Sequence, residues 1–597
     1  MILPILAALL AQAAPYSPQE APAKMTVPDG FKVKLFAGEP DVVQPMGFTF
    51  DDRGRLWVAE CVSYPKWVAP GQEGKDRIVI FEDTDGDGKF DTRKVFADKL
   101  ANVSGLAVGH GGVWVTALPH VLFLPDRNGD DVPDGPAEIL LDGWDMKAKH
   151  NVFNKPSWGP DGWLYGLNGI LSNSLVGKPG TPDAEWIPMN CGVWRLHPVT
   201  RKFEVVCTGT TNPWGLDWDE VGRGFITNCV IKHVFQVIQG AHYDRMFGED
   251  KSAPNLYGLI PSCADHIHWA GGAWQEARGQ EKHSEAGGGH AHVGAMVYLG
   301  DNWPDAWRGH LYTLNLHGHR MSHDVFEPKG SGVVAKHAKD FLLGNDPWFR
   351  GLDCQYGPDG GVFVTDWTDT GECHNYDKCD ATNGRIYKIT YGEAKTVRTD
   401  LSKRLDEELI VLAGHRNQWF PRHAQRLLHE RAIEGKLGAE TPALLRKRLQ
   451  EEADPRVKLK LLWMAHVTKS LDEEAYKDCL GASDEHLRAW AIRLRLEGPA
   501  PDLTALAQMA KQDPSPVVRL ELASALQRLA PPDRAAIAEG LLGREEDKDD
   551  VQLPLMIWYG IEPLVSSDKG RALTLLSQAK IPQVRQYITR RLAGLAK

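Results

Sequence analysis

One short pattern returns six times between residues 47 and 367, and it leaves few folds open. The copies are "GFTFDDRGRLWVAE" (47–60), "GLAVGHGGVWVTA" (105–117), "PSWGPDGWLYGLNG" (156–169), "GLDWDEVGRGFITN" (215–228), a looser "WPDAWRGHLYTLNL" (303–316) and "LDCQYGPDGGVFVTDW" (352–367). In each, apolar residues alternate with polar ones on both sides of a glycine-containing turn, which is the pattern of a β-hairpin. Most gaps are roughly 50 to 60 residues, one four-stranded blade each, and one is longer, with an excursion over about 240 to 290. Closing such units into a ring leaves only short, protected sheet edges. A two-sheet sandwich is the alternative. The regularity of six hairpins favours a six-bladed β-propeller over residues 25–395.

After "NGRIYKITYGEAK" the texture changes, and residues 396–597 are rich in Leu, Ala, Arg and Glu with helical periodicity. Helix starts look alike at "DPRVKLKLLWMA" (454), "DEHLRAWAIRL" (484), "DPSPVVRLELASAL" (513), "DVQLPLMIWYG" (550) and "IPQVRQYITRRLAGL" (581). Asp is a good N-cap and Pro fits the first turn. Their spacing of about 30 to 37 residues predicts paired helices stacked as an all-α solenoid of the HEAT or armadillo type, a class that binds macromolecules or braces a neighbour.

A net charge of −11 excludes a typical nucleic-acid partner, which wants a basic surface. No internal run approaches the ~18 apolar residues of a membrane span. The start, "MILPILAALLAQAAPYSPQEAP", has a short apolar core and then Ala11-Gln12-Ala13, without a preceding Lys or Arg. It reads as a secretory signal over residues 1–14, followed by a linker over 15–24. The expected location is therefore periplasmic or extracellular. Nine cysteines in an exported chain allow disulfides, and Cys373 and Cys379 are close enough in sequence to pair. No C-x-x-C-H occurs, so no covalent haem is expected in this chain.

Two turns are strongly acidic. In "VIFEDTDGDGKFDTRKVF", Asp83, Asp85, Asp87 and Asp91 take positions 1, 3, 5 and 9 of a loop, and Asp126, Asn128, Asp130 and Asp134 repeat those offsets. These are oxygen-ligand positions of a calcium loop, with Gly86, Gly88 and Gly129 permitting the tight backbone. Neither loop has Glu at position 12, so neither is a complete EF-hand. The alternative is a pair of solvated acidic turns. A bound Ca²⁺ would staple blades and take no part in catalysis.

Histidine is the other outlier, with 22 in the chain and many between residues 266 and 374. His266 and His268 stand in "ADHIHW", His290 and His292 in "GGGHAHVGAMVYLG", His317, His319 and His323 in "LNLHGHRMSH", and Asp366, Asp369 and His374 in "DWTDTGECHNYDKC". Strand alternation would point His290 and His292 the same way, and likewise His317 and His319. Such pairs gathered at a propeller mouth could hold a metal, bind an anionic cofactor or provide a base. Each pair taken alone is more often a hydrogen-bonded structural pair, and their concentration in one segment brings the two readings level. Arg320 and Arg350 could clamp a carboxylate, or form ordinary ion pairs. His150 and Asn151 precede the third hairpin and Asn212 the fourth, so all three are expected at one end of the channel.

The run of "FEDTDGDGKFD", "WGPDGWLYG", "NPWGLDWD", "GGGHAHVGAMVYLGDNWP", "HGHRM", "DPWFRGLDCQYGPDGGVFVTDWTDTGECH" and "NGRIYKITYG" resembles the membrane-bound dehydrogenase family of the Planctomycetes–Verrucomicrobia type. Those proteins join a propeller to HEAT-like repeats. The propeller is also distantly similar to soluble quinoprotein glucose and aldose sugar dehydrogenases. There a histidine before a "GPDG" hairpin takes the proton of a sugar hydroxyl, and hydride passes to pyrroloquinoline quinone held by Arg, Lys, Asn and Ca²⁺. The resemblance implies His150 as base, Asn212 for the asparagine of Arg-Asn-Pro, and Arg350 for an arginine before the last "GPDG". The chain departs from the pattern at Thr211 and Leu352, where arginines are expected, and at His317, in the approximate place of the lysine.

The leading expectation is an exported quinoprotein-like oxidoreductase of a sugar or polyol hydroxyl. His150, Asp366 and His374 are its catalytic candidates. Asn151, Asn212, His290, His292, His317, His319, Arg320 and Arg350 are its candidate cofactor contacts. Electrons would leave to an external acceptor such as a separate cytochrome c. Two alternatives stand beside it: a metal-dependent lactonase or esterase in the channel, with Asp366 and Asp369 near the metal, and a non-catalytic module that binds carbohydrate at the mouth or protein at the solenoid. Propellers host all three.

Overall fold

The structure is a computed structural model that describes residues 14–250, 252–273, 281–371, 373, 375–393, 397–498 and 501–595. Six antiparallel blades form the first part, and their inner strands are Pro45–Phe50, Val103–Val108, Asn154–Trp158, Leu216–Trp218, His292–Val297 and Gly351–Tyr356. Each inner strand packs against the next, and the last packs against the first, so the ring is closed. Closure is made by chain order: strand Phe31–Gly38 pairs antiparallel with Arg385–Tyr391 and becomes the outer strand of the sixth blade.

Five of the six repeated hairpins are the two innermost strands of a blade, for example Pro45–Phe50 with Leu56–Glu60. The fifth is different. "WPDAWRGHLYTLNL" supplies only the second strand, Leu311–Asn315, and its inner partner His292–Val297 comes earlier. The turn between them carries the short helix Asp305–Trp307, which is why that copy reads as loose.

From Asp406 onward the described chain is helical. Trp419–Ile433, Pro455–Val467, Glu485–Arg495, Pro516–Leu526, Leu553–Ser567 and Pro582–Leu595 pack in succession as one layer of a solenoid. Five of these are the helices whose starts recur in the sequence. Asp454 and Asp484 cap as expected, accepting from the amides of Arg456 and Leu487. At "DPSP" the cap is Ser515 rather than Asp513, and Asp513 instead receives Arg488 at 2.7 Å. No helix of the described residues is long and apolar enough to cross a membrane.

The helical layer seals one end of the propeller. The first long helix, Trp419–Ile433, lies across the ends of the inner strands, with Trp419, Arg422, His423 and Arg426 turned toward them. Arg422 meets Asp217 at 2.8 Å and Arg426 pairs with Asp52. The blade turns fit between the helices: Gly222 has φ +77, and a Cβ there would lie 2.6 Å from Trp463 and 2.7 Å from Trp490. Behind this contact, Arg195 of the third blade joins Asp161 at 3.0 Å and Glu497 of the helical part at 2.6 Å, nearly out of water. One apolar core runs unbroken from the blades into the first helices.

Candidate functional site

The opposite end of the channel is open and is built from the heads of the six inner strands. Met46, Ser104, Val152, Trp214, Val293 and Leu352, one from each blade, line a mouth together with Tyr64, Trp67, Lys149, His150, Asn212, Leu316, Trp367 and Cys373. Deeper in the channel Lys155 of the third blade reaches Asp353 of the sixth at 2.6 Å and 2.7 Å, tying opposite walls together. The mouth is therefore a cup, rich in indole and aliphatic surface with a few polar groups at its rim.

Local structure explains how two of those polar groups are presented. The amides of Thr211 and Asn212 both donate to Oδ1 of buried Asn228, at 2.8 Å and 2.9 Å. That bend, stiffened by Pro213, sets the Asn212 side chain into the mouth, where its Oδ1 is buried without a hydrogen bond from the protein. His150 lies in the loop leading into the third blade, and its Nδ1 is 2.7 Å from the Tyr376 hydroxyl. Its neighbour Asn151 is 2% exposed, with neither amide atom paired inside the protein. A buried polar atom left unpaired costs about 1–3 kcal/mol, so Asn212 is suited to a hydrogen-bonding ligand, while Asn151, expected beside it, does not line the mouth.

The other predicted residues divide. His290 and His317 come together, with ring centroids 4.5 Å apart, and Nε2 of His317 lies 4.0 Å from Sγ of Cys373. His319 does not follow His317. Both stand in the turn before strand Arg320–Lys329, where strand alternation does not apply, and His319 has φ +51. It turns to Arg350, 2.7 Å away, and burial together with that guanidinium pushes its pKa down to about 4. His292 has close ring partners of its own. It heads its strand and faces His268 and His233, with centroids at 4.6 Å and 4.7 Å. Burial and the His233 ring hold it well below the usual imidazole range.

Two expected clamps are otherwise employed. Arg320 donates to the carbonyls of Gly318 and Ser284, to Oγ of Ser284 and to Asp340, stapling a turn to its strand. Arg350 donates to the carbonyls of Pro347 and Phe349. Asp366 is 1% exposed and accepts from the Arg350 amide at 2.7 Å and from the Thr368 amide and hydroxyl at 2.8 Å each. Its carboxylate positions the strand end and does not line the mouth. Asp369 accepts from the amides of Gly371 and Asp380, and burial pushes it up to about 6. His374 lies outside the described residues.

The acidic turns lie on the sealed side. Asp83, Asp85 and Asp91 bring one carboxylate oxygen each within 4.8 Å of the others. Asp83 also accepts from the amides of Gly86 and Gly88, and Asp91 from Thr84. The Asp87 side chain turns to the Lys89 amide at 2.8 Å. In the second loop Asp126 accepts from Gly129, Asp130 and Asp131, Asn128 from Asp130, and Asp134 from Arg127. Arg55 and Lys94 crowd this loop at Asp131 and at the Asp130 carbonyl, both at 2.7 Å.

Sequence reasoning passed over His233, Asp324 and His337. His233 immediately precedes one strand and Asp324 and His337 stand in two others, and only the ring brings them beside His266, His268 and His292. Among the described residues, the groups able to hold a metal are this cluster and the Asp83 turn, and neither lines the mouth.

The family whose description is "Domain of unknown function (DUF7133)" matches residues 17–393, the whole propeller. No protein of curated function matches the chain in sequence. Among solved structures it is similar to a provisionally assigned oxidoreductase (glucose dehydrogenase) from Thermus thermophilus, at 18% identity and TM-score 0.40, covering 60% of this chain and 99% of that one. It is similar to the soluble aldose sugar dehydrogenase from Escherichia coli in its apo form, at 15% identity and TM-score 0.32, covering 60% and 99%. It is also similar to the PQQ domain of pyranose dehydrogenase from Coprinopsis cinerea, at 12% identity and TM-score 0.35, covering 61% and 97%. Likeness of this degree carries no argument about activity.

Proposed function

We propose, for a chain that belongs to the DUF7133 family, that the mouth is the reaction site of an oxidoreductase acting on a sugar or polyol hydroxyl. One observation carries the reading: His150 sits in an aromatic cup with its Nδ1 held by Tyr376 at 2.7 Å. When Nδ1–H donates to the tyrosine oxygen, Nε2 keeps the lone pair and can take the hydroxyl proton as hydride leaves the same carbon for a two-electron acceptor. Trp67, Trp214 and Trp367 offer flat faces to a sugar ring, and Asn212 offers an amide to its hydroxyls.

The residues present do not fit pyrroloquinoline quinone as that acceptor. Three carboxylates call for several cations, and Lys149 is the one cationic side chain among the described mouth residues. Neither Arg320 nor Arg350 lines the mouth, and Arg320 is held by Asp340 and by backbone carbonyls. The same observation favours a second reading, a carbohydrate-binding mouth without turnover. On either reading we place the chain outside the cytoplasm, on the strength of its apolar start, with a separate electron carrier required by the first.

The experiment is dye-linked oxidation of an aldose and polyol panel by the full chain, beside calorimetric binding of the same panel. Turnover that falls about 100-fold or more in His150→Gln, a typical cost of losing a general base, supports the first reading. Sugar binding with no dye reduction by the unaltered protein, with or without added quinone and Ca²⁺, selects the second.

A further inference from the structure

Between the fourth and fifth blades, off the mouth, four side chains converge that play no part in the reading above. His233 immediately precedes strand Val234–Val237 of the fourth blade, and Asp324 lies in strand Arg320–Lys329 of the fifth. His266 and His268 come from the long excursion that joins those blades. One potential ligand atom of each lies within 4.8 Å of the other three. His233 Nε2 is 2.8 Å from Oδ2 of Asp324, and His266 Nε2 is 3.2 Å from Oδ1. Ligands about 2.0–2.1 Å from a tetrahedral Zn²⁺ lie about 3.3 Å from one another, so small side-chain shifts bring this set to that geometry.

Two features distinguish the cluster from an imidazole–carboxylate ion pair. The first is its outer contacts. Nδ1 of His266 is 2.9 Å from Asp265, which Lys336 holds at 2.9 Å, and Nδ1 of His268 is 2.6 Å from Nε2 of His292. A metal-bound imidazole almost always has its second nitrogen tied in this way. The second is Nε2 of His268, which has no hydrogen-bond partner among the described residues although the residue is 0% exposed. An ion pair centred on Asp324 leaves that lone pair unexplained. A cation shared by the four groups uses it.

We propose that His233, His266, His268 and Asp324 bind one transition-metal dication of the Zn²⁺ type. Three imidazoles and one carboxylate suit Zn²⁺ or Co²⁺ better than Ca²⁺ or Mg²⁺, which prefer all-oxygen shells. Four protein ligands close the coordination sphere, the arrangement of structural rather than catalytic centres. The ion pins the excursion into the wedge between two blades, beside the head of the inner strand at His292. The proposal does not depend on what the mouth does.

The test uses the full chain, stripped with chelator, loaded with Zn²⁺ or Co²⁺ and desalted. Retention of one Zn²⁺ per chain, with the visible bands of tetrahedral Co²⁺, is expected, and His268→Gln and Asp324→Asn should each retain less than about a tenth as much. Retention far below one equivalent by the unaltered protein overturns the site, as does retention by either variant equal to that of the unaltered protein. Should either variant lose the native circular dichroism, Asp265→Asn takes its place. It keeps all four ligands and should weaken Co²⁺ binding about 10-fold or more, and unchanged affinity would overturn the site as drawn.

Discussion

The two ends of the propeller channel are made by the same six strands and have opposite characters. Where the strands begin, loops carrying histidine, asparagine and tryptophan surround an open cup. Where they end, tight Gly/Asp turns meet the helix Trp419–Ile433 and its neighbours, and charges are paired and buried. The hairpin turns that announce the fold thus lie at the end where the helices pack. Regularity in this chain marks where it is packed, and the irregular loops between repeats mark where it can act.

The sharpest way to break this division is at Arg195. Arg195→Met removes the partner of Asp161 and Glu497 inside the contact between blade and helices. Leaving buried charge uncompensated costs about 3–5 kcal/mol, which urea denaturation would record. Turnover or sugar affinity per folded molecule should hold. If binding at the mouth falls with stability, the two ends are not independent. The converse variant is His150→Gln, expected to leave the unfolding free energy within about 0.5 kcal/mol, as ordinary part-exposed substitutions do, while activity is lost.

Acid should loosen the sealed end. Burial first, and then Arg426, pushes His423 down to about 4, and burial with the His110 ring pushes His429 down to about 2. Both are neutral when folded and take up a proton when unfolded, so their stability contribution is complete above pH ~6.5. It is lost as pH falls, by about 1.4 kcal/mol per unit for each residue, down to pH ~4 for His423 and ~2 for His429. Stability measured from pH 7 to 4.5 should fall, and His429→Gln should make the fall shallower by about 1.4 kcal/mol per pH unit. The smallest effect is expected at the acidic turn. Millimolar Ca²⁺ should raise the melting temperature by a few degrees through binding the native state alone, and Asp85→Asn should abolish the rise. An unchanged melting temperature would mark the turn as closed by its own amides.

Much of this architecture was readable from residues alone because it rests on local chemistry. Hairpins at 47–60 and 215–228 declare themselves by alternation and glycine, and Asp454 and Asp484 declare helix starts. The gathering of His150 and Asn212 followed from their equivalent places before two hairpins. What sequence could not convey was the partner of each side chain. Arg320 looked available until Asp340 and Ser284 took its donors, and His317 and His319 looked parallel until a left-handed residue separated them. His233 and Asp324 lie 91 residues apart, and no spacing rule connects them.

Among the described residues, strand Phe31–Gly38 has its only ladder with Arg385–Tyr391, almost the whole propeller later in the chain. The first strand to leave the ribosome is thus the last to find its neighbour, and its ladder is unpaired while five blades and the two inner strands of the sixth are made. Ring closure is a single late event, so a chain interrupted before Arg385 exposes two raw sheet edges, the kind of surface that recruits other chains.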